Sequence, residues 1–303
     1  MGLSLERAIQ RVPFLAGAGN LNTTPLTGGI TNLNYRIDAG DRSYVLRITG
    51  ADTELLGIRR EVEHAANLAA GRLGVAPEVV YFIEPEGYLV TRFVEGGPIP
   101  PEEMVKPENL RRVAEKIRTF HTGAPPLGGE FNVFRRVEML TEVSSRHRSR
   151  FPDNFDWVMQ RMGQVEHTLG ESAAVLHPCH DDLLNLNFLD EHGEIRILDW
   201  EYAGMNDVTY DLANFSSHHR LNDDQLGLLL QAYFGEAAPQ RFARLKLYWP
   251  MSEIHEAMWG TTQTGISRLD EDFQAYADLW FGRATEAMSD PRWDQWIRQA
   301  VVR

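Results

Sequence analysis

Residues 180–187 read His180-Asp181-Asp182-Leu183-Leu184-Asn185-Leu186-Asn187, and Ile197-Leu198-Asp199-Trp200-Glu201 follows a few residues on. The first stretch has the form H-x-D-x-x-x-x-N. The second sets an acid at the end of a short hairpin, twelve residues after Asn187. Phosphoryl transfer from ATP needs a carboxylate facing the acceptor hydroxyl, and oxygen ligands for the Mg²⁺ that bridges the phosphates. Asp182, Asn187 and Asp199 supply such groups in the order and rough spacing of a kinase catalytic loop and its metal-binding aspartate. A polar loop with capping residues would explain either stretch alone. It does not explain both together behind a strand-rich segment with a glycine loop.

Upstream, β-branched and aromatic runs predict strands over 24–29, 32–38 and 43–49, with a hairpin turn at Ala39-Gly40-Asp41. A helix is predicted over 52–71, where Val62, Ala65, Ala66 and Ala69 make one apolar face. A second hairpin is predicted over 78–83 and 88–94. The loop 26–32 holds Gly28, Gly29, Thr31 and Asn32, and its glycines let backbone N–H groups approach a phosphate. Nineteen residues after Gly28, Arg47 stands on the third strand where a kinase carries its phosphate-binding lysine. An arginine holds two oxygens at once and stays charged, so it can replace lysine there. Either Glu61 or Glu63 on the following helix would have to pair with it.

Gly96-Gly97-Pro98-Ile99-Pro100-Pro101 reads as an irregular linker, dividing a lobe of residues 1–95 from one of residues 96–303. Beyond it helices dominate. Leu110, Val113, Ala114, Ile117 and Phe120 form a helical stripe, and further helices are expected over 154–169, 223–234, 239–259 and 269–288. A short hairpin pairs 187–189 with 195–198.

Composition excludes several classes. The chain has 303 residues, 43% of them apolar, enough for a sizeable core, and 24% charged. A net charge of −13 argues against a nucleic-acid partner and is compatible with a cationic small substrate. Only three of the 30 basic residues are lysines. The single cysteine, Cys179, rules out an internal disulfide and fits a reducing compartment. No run approaches the length of a membrane span, and Glu6 and Arg7 interrupt any signal-peptide pattern, so a cytoplasmic protein is expected. His177, Cys179, His180, Asp181 and Asp182 are possible transition-metal ligands. Their spacing is unlike that of zinc sites, and the other cluster, His218-His219, consists of adjacent residues that point apart.

Taken with LTGGITN (26–32), VLRITG (45–50), VAPEVVYF (75–82), VTRFVEGGPI (90–99), YDLANF (210–215) and WGTTQTGIS (259–267), the stretches CHDDLLNLNFL (179–189) and LDWEYAG (198–204) resemble the choline/ethanolamine kinases, within the wider aminoglycoside-phosphotransferase-like group. The resemblance runs from about residue 24 to 285. It implies an α+β, bilobal protein-kinase-like fold: a small antiparallel-sheet N-lobe with one helix, and a larger, mainly helical C-lobe. ATP and Mg²⁺ would lie between the lobes.

Carried over onto this chain, the resemblance makes Asp182 the catalytic base, with His180 bracing its loop. Asn187 and Asp199 become the Mg²⁺ ligands, and Glu63 rather than Glu61 the partner of Arg47. Asp211 would hold the catalytic loop from below. Backbone groups of Arg92, Phe93 and Val94 would line the adenine pocket. The aromatic box for an alkylammonium acceptor maps to Tyr202, Trp259 and Tyr276. Three residues before Trp259, the eukaryotic choline kinases carry a second tryptophan and this chain has Glu256. The implied activity is ATP-dependent phosphorylation of an amino alcohol, choline or ethanolamine. Alternatives are an aminoglycoside, sugar or thiamine phosphotransferase of the same fold, or an inactive nucleotide-binding module. No oligomeric state is implied.

Overall fold

The structure, a computed structural model, describes residues 3–26, 32–50, 53–170 and 174–301. Gly28, Gly29 and Thr31 lie outside the described residues. Two short helices not expected from the sequence, α1 (Leu5–Gln10) and α2 (Pro13–Ala16), open the chain. Strands β1 (Leu21–Leu26), β2 (Asn32–Ala39), β3 (Arg42–Thr49), β4 (Val79–Ile83) and β5 (Tyr88–Arg92) form one antiparallel sheet in the order β1-β2-β3-β5-β4. Alternation along the strands sends Ile37, Leu46 and Val90 to one face, where Ala8, Val12 and Leu15 of α1 and α2 cover them.

The helix expected over 52–71 is broken. Thr53–Leu56 is a 3-10 turn, and α3 starts only at Arg60 and runs to Arg72. Gly57 has φ +69, a left-handed conformation that ends the turn. The apolar face of α3 (Val62, Ala66, Ala69, Ala70) belongs to the large C-lobe core rather than to the sheet's own cluster. That packing fixes the helix between the lobes.

The stretch 96–101 is also more regular than its composition suggests. Gly97–Pro98 forms a two-residue strand, β6, that pairs with β8 (Phe188–Glu191), which in turn pairs with β9 (Glu194–Ile197). The pairing is possible because Gly96 has no side chain: a Cβ there would lie 2.1 Å from the Asp190 carbonyl oxygen. A second small sheet joins β7 (His177–Cys179) to β10 (Gly204–Asn206).

The remaining helices are α4 (Pro101–Met104), α5 (Pro107–Gly123), α6 (Val133–Arg146), α7 (Phe155–Gly170), α8 (Val208–His218), α9 (Asp223–Phe234), α10 (Pro239–Ile266), α11 (Phe273–Met288) and α12 (Trp293–Gln299). α10 runs seven residues beyond the expected end at 259 and passes through Pro250. It packs against α6, α8, α11 and α12. Among the described residues, no helix is long and apolar enough to cross a membrane.

Candidate active site

The loop between β7 and β8 is held by one carboxylate. Asp211, in the first turn of α8, accepts from the backbone N–H of His180 at 2.8 Å and of Asp181 at 2.7 Å. His121 on α5 adds a third contact at 2.8 Å. Burial pushes Asp211 up, but these hydrogen bonds and the neighbouring imidazoles outweigh it and hold the group below its ordinary range. The chain then turns through Asp181, at φ 68. Asp181 faces inward, where burial first and the charge of Asp211 second push it well up. Asn206 donates to it at 2.8 Å.

Next in the chain, Asp182 is partly exposed and faces a cluster of acids. Burial raises it well above its ordinary range, and the charges of Glu256, Asp199 and Glu201 add to the rise. Its N–H donates to His180 Nδ1 at 3.2 Å, while His180 Nε2 lies 2.8 Å from the Leu198 carbonyl. That pattern puts the ring proton on Nε2, and burial keeps the imidazole neutral. His180 thereby ties the Asp182 loop to the residue before Asp199. Asn187 donates through Nδ2 to the Asp182 carbonyl at 2.9 Å, leaving its Oδ1 as an acceptor.

Asp199 has φ 61. Its Oδ1 accepts from Arg47 Nη1 at 2.8 Å, and Arg47 also forms an ion pair with Glu63. Glu61 pairs instead with Arg59 at 2.8 Å on the surface. Arg60 reaches both Glu63 at 2.6 Å and Glu201 at 3.5 Å, and Asn32 donates to Glu201 at 3.0 Å. Carboxylate oxygens of Glu63, Asp199 and Glu201 lie within 4.8 Å of one another. Three carboxylates against two guanidiniums, with Asn187 held to the residue before Asp199 by the Leu198 N–H on its carbonyl at 2.8 Å, form a hard-oxygen donor set with surplus negative charge. That set suits Mg²⁺.

The five residues set out as transition-metal ligands do not converge on one point: Asp182 faces His218 and Glu256, whereas Cys179 lies with His121 and Asp211. His177 Nδ1 contacts the His121 carbonyl at 3.1 Å, and Cys179 is buried, its thiol pushed well up by burial. The expected adenine strip is partly used by the fold. The N–H of Arg92 goes to Glu78 and that of Phe93 to Ser43, which leaves the N–H of Val94 without a backbone acceptor among the described residues.

The residues expected to form the acceptor side come together from three helices. Glu256 on α10 is buried; its Oε2 accepts from Tyr276 on α11 at 2.6 Å, and its Oε1 lies 3.6 Å from His218 Nε2 on α8. One ligand atom each from Asp182, His218 and Glu256 lies within 4.8 Å of the others. Burial acts to raise Glu256, but His218, His255 and Tyr276 together hold it below its ordinary range. Trp259 meets Tyr276 edge-on at 5.5 Å, and Trp280 meets the His218 ring at 4.9 Å. Tyr202 is buried, with the guanidinium of Arg136 4.9 Å from its ring centroid.

His218, Glu201, Arg136 and Trp280 were not singled out from the sequence as site residues. His218 lies seven residues after Asp211, two turns along one helix face, a signal available once α8 is recognised. Its neighbour His219 does point away, against Phe215 and Phe188.

A family model described as choline/ethanolamine kinase matches residues 23–224. Protein LicA of Haemophilus influenzae is 25% identical over 231 residues, covering 75% of this chain and 67% of LicA. Mouse ethanolamine kinase 1 is 24% identical over 298 residues, covering 85% of this chain and 81% of that one. The crystal structure of a choline/ethanolamine kinase family protein from Mesorhizobium loti superposes with a TM-score of 0.83 at 32% identity, over 97% of this chain and 98% of the other.

Proposed function

The chain belongs to the choline/ethanolamine kinase family, and from that premise we propose that it transfers the γ-phosphoryl group of ATP to the hydroxyl of an amino alcohol whose ammonium carries N–H groups, ethanolamine in preference to choline. In this reading residues 1–95 hold the nucleotide and residues 96–303 supply the catalytic loop and the acceptor pocket.

Asp182 orients the acceptor hydroxyl and takes its proton as transfer proceeds; its raised proton affinity suits that task. Arg47, fixed by Glu63, is aimed at the phosphates, and His180 keeps Asp182 and Asp199 in register. Asn187, Asp199 and the adjacent Glu201 would hold Mg²⁺, which supplies charge neutralisation on the phosphates when bound.

The observation that carries the acceptor assignment is the Asp182–His218–Glu256 cluster. Three acceptors bonded at normal distance to one tetrahedral ammonium stand about 4.6 Å apart. The three ligand atoms lie within 4.8 Å of one another, and His218 Nε2, buried and 3.6 Å from Glu256 Oε1, makes no hydrogen bond of normal length and can accept one in its neutral form. A quaternary ammonium has no N–H to offer them and depends on open aromatic faces. Here one face of Tyr202 is occupied by the Arg136 guanidinium, and Trp259 and Tyr276 meet edge to face.

The test is kcat/KM for ethanolamine and choline in the wild type and in Glu256→Gln. Wild type should favour ethanolamine. The substitution should lower ethanolamine efficiency about 10- to 100-fold, the worth of a charge-assisted hydrogen bond, and choline efficiency less. A ratio unchanged by the substitution would remove Glu256 from the acceptor site and leave the kinase assignment standing.

A further inference from the structure

A second cleft of about 540 Å³ opens between α10, α11 and the loops that precede α9 and α12. Two polar groups face it with the bonding capacity of a buried atom left over, and an exposed guanidinium joins them on the lining. Glu253 is only 3% exposed. Its Oε1 accepts from Trp249 Nε1 at 3.0 Å and from Ser217 Oγ at 3.3 Å, while its Oε2 is buried with no partner. Arg283 lies over the Trp280 ring at 4.6 Å, and its Nε is buried and unpartnered. Arg220, in a left-handed conformation at φ 51, lines the cleft from the loop after α8. Native interiors leave few such atoms unsatisfied, and two of opposite bonding character along one cavity, Glu253 Oε2 and Arg283 Nε, point to a missing partner.

Two of the other charges in the cleft are already matched, while Glu286 lines it as a further carboxylate. Lys246 pairs with Asp223 at 2.9 Å and lies over Trp249 and Trp296, so those aromatic faces are taken. Asp290 pairs with Arg292 at 2.9 Å. What remains is a buried carboxylate oxygen that needs a donor, a buried guanidinium N–H that needs an acceptor, and the exposed Arg220 guanidinium, both arginines being close enough for their charges to act on Glu253. We propose that this cleft is a second ligand site, for a small zwitterion whose ammonium reaches Glu253 Oε2 and whose anionic end is held by Arg283 and Arg220. Burial raises Glu253 to about 7, so an arriving ammonium also completes its ionisation. An amino-alcohol phosphomonoester fits this chemistry, and so does a β-amino acid. The first is the product class of the transfer proposed above and, as a source, rests on that reading; the site itself does not. Trp280 stands between the cleft and the acceptor pocket, with Arg283 of the cleft over its ring and His218 at 4.9 Å in an edge contact.

Calorimetric titration of the full chain with phosphoethanolamine, β-alanine and inorganic phosphate tests this. Each is run in excess ethanolamine, so that the acceptor pocket is filled. At least one of the two zwitterions should still bind, and which one identifies the anionic end as phosphate or carboxylate. That binding should weaken about tenfold or more in Glu253→Gln and in Arg283→Gln, while ethanolamine turnover stays within about twofold. If Glu253→Gln does not fold, Arg220→Gln, at an exposed position, takes its place. No binding by either zwitterion, equal binding by phosphate alone, or binding that survives the substitutions overturns the proposal. Absence of phosphoryl transfer to any amino alcohol, with zwitterion binding intact, would instead overturn the proposed function.

Discussion

Asp182 and Asp199 are both cleft carboxylates, yet their partners differ. Asp182 is held through its backbone and faces Glu256 and His218, whereas Asp199 is held through its side chain by Arg47. Asp182→Ala should therefore lower kcat by about 10³-fold or more with little change in affinity for Mg²⁺–ATP. Asp199→Ala should weaken metal-dependent nucleotide binding, because an anionic oxygen is lost from the donor set. Equilibrium nucleotide binding with and without Mg²⁺ separates the two, and normal turnover by either folded variant would end the assignment. Glu253 makes a prediction about stability. Its folded value of about 7 lies above the ordinary 4.5. Below pH 4.5 both folded and unfolded forms keep the proton, and there is no penalty. As pH rises from 4.5 to 7 the unfolded chain releases it first, so the fold loses up to about 3 kcal/mol. Glu253→Gln should thus gain in Tm relative to wild type between pH 5 and pH 8. Parallel melting curves across that range would show that Glu253 is not strained by burial.

Gly57 tests the element scale. An alanine there must accept φ +69 and place its Cβ 2.4 Å from Arg136 Nη1, which is bound to the Gly57 carbonyl, with Nη2 on the Leu56 carbonyl. Gly57→Ala should cost about 1–3 kcal/mol and lower Tm by several degrees; an unchanged melt would mean that the 3-10 turn can move away freely. What was legible at this scale follows from periodicity. α9 is found at its expected 223–234, because its polar start and apolar face are both clear. α8 gave no periodic signal, because every residue from Thr209 to Ser217 is buried, polar ones included. The catalytic loop was readable because its groups are close in sequence. On the expected acceptor side Glu256, Trp259 and Tyr276 were readable, but His218 and Trp280 were not, because they meet these residues only when α8, α10 and α11 pack together. Gly96–Pro101 looked irregular by composition, and only the near contact with Asp190 makes its short strand possible.

Across the whole molecule, the two lobes meet through charge. Arg47 joins β3 to α3 and to Asp199, and Arg60 and Asn32 join the N-terminal elements to Glu201. Mg²⁺–ATP binding to the folded form should raise Tm, by about 2.7 kcal/mol of added stability at a hundred times Kd. In Arg47→Met that rise should fall to less than half, since Glu63 and Asp199 lose their common counter-charge; a full rise in scanning calorimetry would place the phosphates elsewhere. Arg136 sets a limit on how such a molecule can move. Its guanidinium projects from α6, is bound to the carbonyls of residues 56 and 57, and lies against Tyr202. Any hinge that carried the 53–57 turn away with the sheet would strand a buried cation. The turn therefore travels with α6, and because Leu56, Ile58 and Val62 share one core with the C-lobe helices, the whole stretch from the turn into α3 moves with that lobe and any relative motion of the sheet must be taken up outside it.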